Sequence, residues 1–241
     1  MPDKSPRVSV VMPAYNAQSF IADAISSILD QTFSDFEFII INDGSIDATV
    51  SIIKTFADPR IRLINMPRNM GIVAALNAGL DAARGEYIAR MDSDDMSLPE
   101  RFARQVEHLD THPECAVVGV QPICFGALNL IGNPNPANLT MIKMLTENQI
   151  CHPGVMIRRA VLDEYNLRYN PDYETCEDYE LWTRVLQHAQ IHNIPDRLLK
   201  YRVHGNNLTI RNKPIQAERT KRVQTKIREY LGNQTWNTIT F

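Results

Sequence analysis

The sequence of 241 residues lacks several features that identify large classes of protein. No apolar run approaches the roughly 20 residues that a membrane-spanning helix needs, and the polar segment from Met1 to Arg7 does not resemble a secretory signal. The four cysteines are far apart, at Cys115, Cys124, Cys151 and Cys176. Because no C-x-x-C pair occurs, neither a disulfide framework nor a structural zinc site is indicated. We therefore expect a soluble cytoplasmic protein.

The glycine-rich loops that mark common nucleotide sites are missing too. Neither Gly-x-x-x-x-Gly-Lys-Ser/Thr nor Gly-x-Gly-x-x-Gly occurs, so the sequence does not support a P-loop or a Rossmann dinucleotide site. Hydrophobic residues make up 44% of the chain and charged residues 22%. This balance, at this length, indicates one globular domain with a buried core and at most a short appendage.

The charge is small overall but unevenly distributed. Residues 1–196 contain 15 Lys and Arg against 26 Asp and Glu, whereas residues 197–241 contain 10 against 2. The resulting balances of −11 and +8 indicate either an anionic surface or ligand near the C-terminus or a solvated basic face. We expect no nucleic-acid partner.

Strand-like and helix-like segments alternate through the first half of the chain. Buried strands are predicted over residues 8–12, 36–41, 61–64, 87–91 and 115–120, and helices over residues 20–29, 47–56, 71–83 and 97–109. Gly85 is expected to end the third helix. Ser97 and Glu100 have the spacing of a capping box at the start of the fourth. The alternation predicts βαβ units and a mostly parallel sheet.

After residue 120 this rhythm changes. Prolines and glycines predict an irregular loop over residues 121–137. Further helices are predicted over residues 139–146 and 178–188, short strands over residues 155–157, 191–194 and 198–203, and a basic helix over residues 214–231.

Polar or turn-forming segments follow four of the predicted strands. They are Pro13-Ala14-Tyr15-Asn16, Asn42-Asp43-Gly44-Ser45, Arg68-Asn69-Met70-Gly71 and Asp92-Ser93-Asp94-Asp95. In an open α/β sheet, ligands bind beyond the carboxyl ends of the strands. The four segments therefore predict one ligand site.

The acidic segment carries the clearest chemical signal. Three carboxylates within four residues, Asp92, Asp94 and Asp95, repel one another and are costly to cluster without a cation. Mg²⁺ and Mn²⁺ prefer oxygen ligands of this kind. The alternative is an acidic turn that only caps the next helix, and the position at a strand end favours the metal site.

Later segments add further candidates. Asp178 lies where a helix begins, and it could deprotonate a hydroxyl group or, with Glu177, only complement the helix dipole. Arg202 and His204 follow a strand, where they can neutralise a diphosphate or complete a metal shell. For His152, a position near a substrate and a structural role beside a turn are equally well supported.

Six segments stand in order along the chain: Val-Ser-Val-Val-Met-Pro-Ala-Tyr-Asn, Ile-Asn-Asp-Gly-Ser, Arg-Asn-Met-Gly, Met-Asp-Ser-Asp-Asp, His-Pro-Gly-Val-Met-Ile-Arg-Arg and Glu-Asp-Tyr-Glu-Leu-Trp. Over residues 8–209 this series resembles the family 2 glycosyltransferases of the GT-A fold. The resemblance implies an α/β fold, with a Rossmann-like, mostly parallel central sheet flanked by helices. It implies a catalytic domain over residues 1–210, divided near residue 120 into nucleotide-binding and acceptor-binding halves, and a basic helical tail over residues 211–241.

The resemblance also implies an activity. It is the inverting transfer of a hexosyl or N-acetylhexosaminyl group from a nucleotide diphosphate sugar, most often a UDP sugar, to a hydroxyl of a glycan or lipid-linked acceptor. Mn²⁺ or Mg²⁺ would be the cofactor. The family is typical of bacterial cell-envelope polysaccharide biosynthesis.

Site residues follow from the same resemblance. The nucleotide sugar would be bound by Pro13, Ala14, Tyr15, Asn16, Asp43, Arg68, Asn69, Gly71, Asp92, Ser93 and Arg202. Within this set, Asp43 would accept a hydrogen bond from the uracil or thymine imide and Asp92 would contact the ribose. Asp94 and His204 would hold the metal, and Asp178 would be the general base.

Two other functions remain open. A sugar-nucleotide nucleotidyltransferase also uses a parallel sheet and clustered acids, although Pro13 to Asn16 replace the basic, glycine-rich loop such enzymes carry. A catalytically inactive nucleotide-sugar-binding subunit is the other. The basic tail has two alternative roles. It could contact the inner face of the plasma membrane peripherally, or it could dock on the chain's own domain, and the narrow apolar face of the tail favours docking.

Overall fold

The computed structural model describes residues 5–127, 137–205, 207 and 213–239, and side chains as far as residue 233. The strands are β1 (Val8–Ala14), β2 (Phe36–Asn42), β3 (Ile61–Asn65), β4 (Tyr87–Arg90), β5 (Met96–Ser97), β6 (Cys115–Gly126), β7 (Asn138–Leu139), β8 (Met156–Arg158) and β9 (Gln190–Val203). The helices are α1 (Ile21–Leu29), α2 (Thr49–Ile53), α3 (Ile72–Ala82), α4 (Arg101–Thr111), α5 (Arg159–Glu164), α6 (Glu177–Val185) and α7 (Lys213–Ile239). Short 3-10 turns cover Lys143–Leu145, His152–Gly154 and Pro171–Tyr173.

These strands form one sheet in the order β3-β2-β1-β4-β8-β6-β9-β5, with β7 also paired to β9. The pairs β3-β2, β2-β1, β1-β4 and β6-β9 are parallel. The antiparallel pairs of β8, β5 and β7 join only two or three residues each. The sheet is therefore mostly parallel, as the sequence predicts.

Helices cover both faces of the sheet. Alternate residues of β1 point to opposite sides, since Val10 and Met12 pack with α1 and α4 whereas Val11 packs with α3 and α6. Strand β2 alternates in the same way, with Phe38 on the first side and Ile39 facing α3. Burial on both faces explains why these strands read as continuous apolar runs in the sequence.

Two strands differ from the sequence prediction. The loop expected over residues 121–137 is wrong for its first part, because β6 continues to Gly126 and pairs with β9. The strands expected over residues 191–194 and 198–203 are a single strand, β9. Register shifts near Gln121 and Pro122 let β6 accommodate its proline. Residues 128–136 of the expected loop lie outside the described residues.

Helix predictions were less accurate after residue 138. The helix expected over residues 139–146 is wrong: only the turn Lys143–Leu145 forms there, after the short strand β7. Helix α5 was not predicted, and α2 is shorter than expected. These segments are short, so local periodicity carries little information about them.

The capping box expected at Ser97 is also wrong. Ser97 belongs to β5, and α4 begins at Arg101 without a side-chain cap. The Ser97 hydroxyl instead accepts a hydrogen bond from the guanidinium of Arg101 at 3.4 Å. Arg101 is fully buried and also donates to the carbonyl of Arg90 at 2.5 Å. It therefore ties the start of α4 to the end of β4.

The basic tail docks on the domain. Val223 and Ile227 of α7 are buried in the same cluster as α6. Gln224 donates to the carbonyl of Thr146 at 2.8 Å, and Lys226 lies 3.5 Å from the Glu180 carboxylate. The narrow apolar face of α7 is thus used inside the molecule.

In the described part of the chain, no helix combines the length and the apolar character needed to cross a membrane. Strand β6 runs across the expected division of the domain near residue 120. The division into two halves and a tail stays a prediction.

Gly85 has a different role from the one expected. It lies three residues after α3 and does not have the left-handed φ of a glycine that ends a helix. Its amide instead donates to the Ser9 hydroxyl at 2.8 Å. A Cβ at this position would lie 2.6 Å from the backbone nitrogen of Ser9. The glycine is needed because β1 passes so close.

We predict that Gly85→Ala lowers the free energy of unfolding by about 1–3 kcal/mol, because backbone atoms must move to admit the methyl group. Urea denaturation followed by circular dichroism measures this. Gly232→Ala on α7 is the control, since a Cβ there would meet no other element of the described chain within 4 Å. Equal stabilities for Gly85→Ala and the unmodified protein would contradict the close approach.

Candidate active site

Three of the predicted loops are held together at the carboxyl edge of the sheet. The Asn16 amide donates to the Ser45 hydroxyl at 3.0 Å, and the Asn16 side-chain oxygen accepts from the amide of Ile46 at 3.0 Å. Gly44, with a φ of +70°, packs so closely on the third loop that a Cβ would lie 2.4 Å from the carbonyl carbon of Arg68. The loops after β1, β2 and β3 therefore form one preorganised surface.

Asp43 organises the third loop. Its carboxylate is buried and accepts hydrogen bonds from the amides of Met70 at 2.7 Å and Gly71 at 3.0 Å. The sequence alone does not reveal this structural function. Arg68 and Asn69 of the same loop are exposed, as is Tyr15 of the first loop, while Pro13 and Ala14 are buried at the end of β1. The exposed residues leave a polar surface beside the end of β1.

The acidic cluster, defined as Asp92, Asp94 and Asp95, follows β4 at the same edge. Oxygens of the three carboxylates lie within 4.8 Å of one another. Burial and the charge of Asp92 raise the pKa of Asp94, and the same causes together with Asp94 raise the pKa of Asp95 well above its usual value. One oxygen of Asp95 is buried without a hydrogen-bond partner in the described part of the chain. The three carboxylates are thus short of positive charge.

Arg90, the last residue of β4, is the buried counter-charge to this cluster. Its guanidinium lies 2.5 Å from the Asp92 carboxylate, and its side chain is only 6% exposed. Burial acts to lower the pKa of Arg90, but the charge of Asp92 raises it above the usual range, so Arg90 stays charged. The same charge acts to lower the pKa of Asp94 and of Asp178. Arg90 therefore links the acidic cluster to α6.

Strand β9 brings basic and amide groups to the cluster. The His204 Nε2 atom lies 2.9 Å from an oxygen of Asp94, and the side chain of Asn207 donates to the same oxygen at 3.3 Å. The sequence alone does not predict this contact of Asn207. Residue Asn206 and residues 208–212, which surround Asn207 in the chain, lie outside the described residues.

Arg202 holds the acidic cluster against β9. Its amide donates to Asp95 at 2.7 Å, and its Nε donates to the carbonyl of Asp94 at 2.8 Å. The guanidinium also pairs with Asp23 at 3.0 Å and lies between the rings of Phe20 and Phe125. These bonds to protein groups were not foreseen from the sequence, and the predicted binding of the nucleotide sugar by Arg202 stays a prediction.

Asp178 lies in the first turn of α6. Burial raises its pKa, and the side-chain amide of Asn148 donates to it at 2.7 Å. Burial and the charge of Asp178 also raise the pKa of the neighbouring Glu177 to about 7. The segment before α6 reaches the third loop, because a Cβ on Gly71 would lie 2.7 Å from the Glu174 carboxylate. Asn148 and Glu174 carry no sequence pattern that would have identified them.

His152 has a structural role. It is buried, its Nε2 atom is 2.8 Å from the Tyr169 hydroxyl, and its ring contacts Trp182 edge-on. Burial lowers its pKa well below the usual value. Of the two alternatives open from the sequence, the structure supports the core histidine.

Residues 9–166 match the model of the family described as Glycosyl transferase family 2. The chain belongs to this family.

Relatives extend the match beyond that segment. An uncharacterized glycosyltransferase of Haemophilus influenzae is 34% identical over 246 residues, covering 96% of this chain and 76% of the relative. The amylovoran biosynthesis glycosyltransferase AmsE of Erwinia amylovora is 30% identical over 202 residues, covering 80% of this chain and 75% of the relative. The similarity to named glycosyltransferases thus includes α6 and β9 as well.

Solved structures show the same fold. TarS of S. aureus in complex with UDP superposes with a TM-score of 0.73 at 18% identity, covering 92% of this chain and 70% of that chain. The mannosyltransferase PcManGT of Pyrobaculum calidifontis, in complex with GDP-Man and Mn²⁺, gives 0.69 at 21% identity, covering 86% and 59%. The likeness confirms the expected GT-A type of fold.

Replacing Arg90 tests whether it balances the carboxylates. We predict that Arg90→Met lowers the free energy of unfolding by about 3–5 kcal/mol, because buried carboxylates lose their counter-charge. Denaturant unfolding at neutral pH measures this. Arg104→Met is the matched control, since Arg104 pairs with Glu107 and Asp196 at the exposed surface. A loss no larger than that of Arg104→Met would contradict the role of Arg90.

Proposed function

We propose that this family 2 glycosyltransferase is an inverting, metal-dependent enzyme that transfers a hexosyl or N-acetylhexosaminyl group from a UDP sugar to a hydroxyl. One observation carries the proposal. Asp94, bonded to His204, and Asp178, at the start of α6, share the electrostatic influence of the buried Arg90 at one edge of the sheet. This arrangement supports a metal ligand and a general base within one site.

The donor set fits a hard divalent cation. Asp94 and His204 present an oxygen and a nitrogen 2.9 Å apart, close to the roughly 3 Å between neighbouring ligands of an octahedral ion with bonds of about 2.1 Å. Binding requires the His204 Nε2 to offer its lone pair instead of a proton. Mn²⁺ or Mg²⁺ held there would supply positive charge to a leaving diphosphate.

The nucleotide would lie on the surface formed by the first three loops. Tyr15 and Asn16 are exposed beside the end of β1, and Arg68 and Asn69 lie on the neighbouring loop. Each carboxylate oxygen of Asp43 accepts one hydrogen bond from a backbone amide of the third loop. Each oxygen keeps a further lone pair, which could accept a hydrogen bond from a uracil imide. Asp92 and Ser93 are partly exposed next to this surface, where a ribose would reach them.

Asp178 would act as the general base. The Asn148 amide and the backbone amides at the start of α6 orient its carboxylate. Its raised pKa makes it a stronger base than an exposed aspartate. An acceptor hydroxyl that loses its proton to Asp178 attacks the sugar carbon opposite to the diphosphate, and a single displacement inverts that centre.

The acceptor is proposed to be a glycan or a lipid-linked glycan of a bacterial cell-envelope polysaccharide. The names of relatives in exopolysaccharide pathways, such as amylovoran biosynthesis, support this. Because the apolar face of α7 is buried, contact with an anionic membrane would rest on its exposed basic residues, such as Lys221 and Arg228.

Asp178→Asn is the direct test of this mechanism. Removing a well-placed base is expected to lower kcat by about 10²- to 10⁴-fold, while UDP-sugar affinity stays within a factor of about two because the donor does not depend on the base. Sugar transfer and donor binding should be measured on the same preparation, across a panel of UDP sugars with Mn²⁺.

Asp172→Asn, on the exposed turn before α6, is the control and should retain full turnover. Near-normal transfer by Asp178→Asn would show that another group is the base. Release of pyrophosphate from UTP and a sugar phosphate would instead indicate a nucleotidyltransferase. Donor binding without transfer or hydrolysis by the unmodified protein would indicate an inactive binding subunit.

A further inference from the structure

Three histidines and a cysteine meet at the opposite end of the sheet from the acidic cluster. His108 is in the last turn of α4, His112 follows that helix, Cys115 begins β6 and His192 is the third residue of β9. His192 precedes Arg202 on β9 by ten residues, which is on the order of 30 Å along a strand. This group is therefore remote from the proposed active site.

The ligand atoms of three of these residues are close together. Nitrogens of His108 and His192 are 2.9 Å apart, and one nitrogen of each ring and the Cys115 sulfur all lie within 4.8 Å of one another. Neighbouring ligands of a tetrahedral Zn²⁺ are about 3.3–3.8 Å apart, given bonds of about 2.0–2.3 Å. Small side-chain rotations would bring the three atoms to those separations.

Hydrogen bonds already orient two of the imidazoles as ligands. The Nε2 of His192 lies 3.0 Å from the side-chain oxygen of Gln190, so that nitrogen carries the proton and Nδ1 offers a lone pair to the cluster. The Nδ1 of His112 lies 2.9 Å from the carbonyl of His108, which leaves the lone pair on Nε2. A second-shell acceptor on the non-ligating nitrogen is a regular feature of metal-binding histidines.

A cation would bind these residues in the forms that offer a lone pair, which are the neutral imidazole and the thiolate. The Cys115 thiol would therefore release its proton to solvent as the sulfur bonds to the cation.

We propose that His108, Cys115 and His192 form a second metal site, which takes a borderline or soft divalent cation such as Zn²⁺. Nitrogen and sulfur ligands select such ions, whereas the carboxylates near Asp94 select hard ones. His112 borders this group, since its ring is stacked on that of His108 with centroids 4.2 Å apart. The bound ion would join α4, β6 and β9, a structural function separate from sugar transfer.

The separation along the chain conceals this site in the sequence. His108 and Cys115 are close in sequence, but His192 comes from β9, and no C-x-x-C pair marks the ligands. Only the parallel pairing of β6 with β9, which places Cys115 opposite Gln190, brings the sulfur next to the imidazole of His192.

Cobalt titration of the full, reduced chain tests the proposal. Co²⁺ in a tetrahedral site with a thiolate gives visible d–d bands and a near-ultraviolet sulfur-to-cobalt charge-transfer band. We expect both bands to saturate at one Co²⁺ per chain and to be bleached by Zn²⁺ but not by Mg²⁺. Cys115→Ser should lose the charge-transfer band, and His192→Gln should weaken cobalt binding at least tenfold.

Two controls separate this site from other groups. Cys124→Ser removes a thiol from the far end of β6, and Asp94→Asn removes the proposed ligand of the hard cation, so both should keep the full cobalt spectrum. If Cys115→Ser does not fold, the partly exposed His108→Gln provides the same comparison. The absence of tetrahedral bands in the unmodified protein, or a charge-transfer band that survives in Cys115→Ser, would overturn the proposal.

Discussion

The arrangement of this site depends on one ion pair at the end of β4, between the buried Arg90 and the partly exposed Asp92. Five carboxylates lie at or near this edge: Asp92, Asp94, Asp95, Glu177 and Asp178. Like charges so close to one another could not remain ionised in a partly buried site without a fixed cation. Burial, and after it the charges of neighbouring carboxylates, raise the pKa values of Asp94, Asp95 and Glu177. A single guanidinium therefore leaves a deficit of positive charge at this edge. A divalent cation would reduce that deficit.

The rest of the fold serves to hold these groups in place. The fully buried Arg101 donates to the carbonyl of Arg90 and so fixes the end of β4. Strand β9 delivers Arg202 and His204 to the acidic cluster from the other side. Helix α7 packs on α6, whose first turn carries Asp178. The site therefore draws on segments far apart in the chain, and hydrogen bonds fix the loops that carry most of its residues, as preorganised catalysis requires.

Much of this could be predicted from the sequence, and the failures have physical reasons. Strands β1 and β2 are buried on both faces, so their apolar runs were unambiguous, and the polar segments at their ends predicted a ligand site. Pro122 and Gly126 suggested a loop, but pairing with β9 overrides local propensity. Asn148 and Asn207 contact Asp178 and Asp94 through tertiary packing alone. Asparagine is common in any loop, so no local pattern could have distinguished these two.

The central claim is that the acidic cluster is completed by a divalent cation and a nucleoside diphosphate together. Calorimetric titration of UDP, with and without Mn²⁺, measures this coupling in the unmodified protein and in Asp94→Asn. The account predicts that Mn²⁺ tightens UDP binding to the unmodified protein at least about tenfold, or about 1.4 kcal/mol, and that Asp94→Asn loses this gain but keeps its metal-free affinity. Equal UDP affinity of the unmodified protein with and without Mn²⁺ would contradict it.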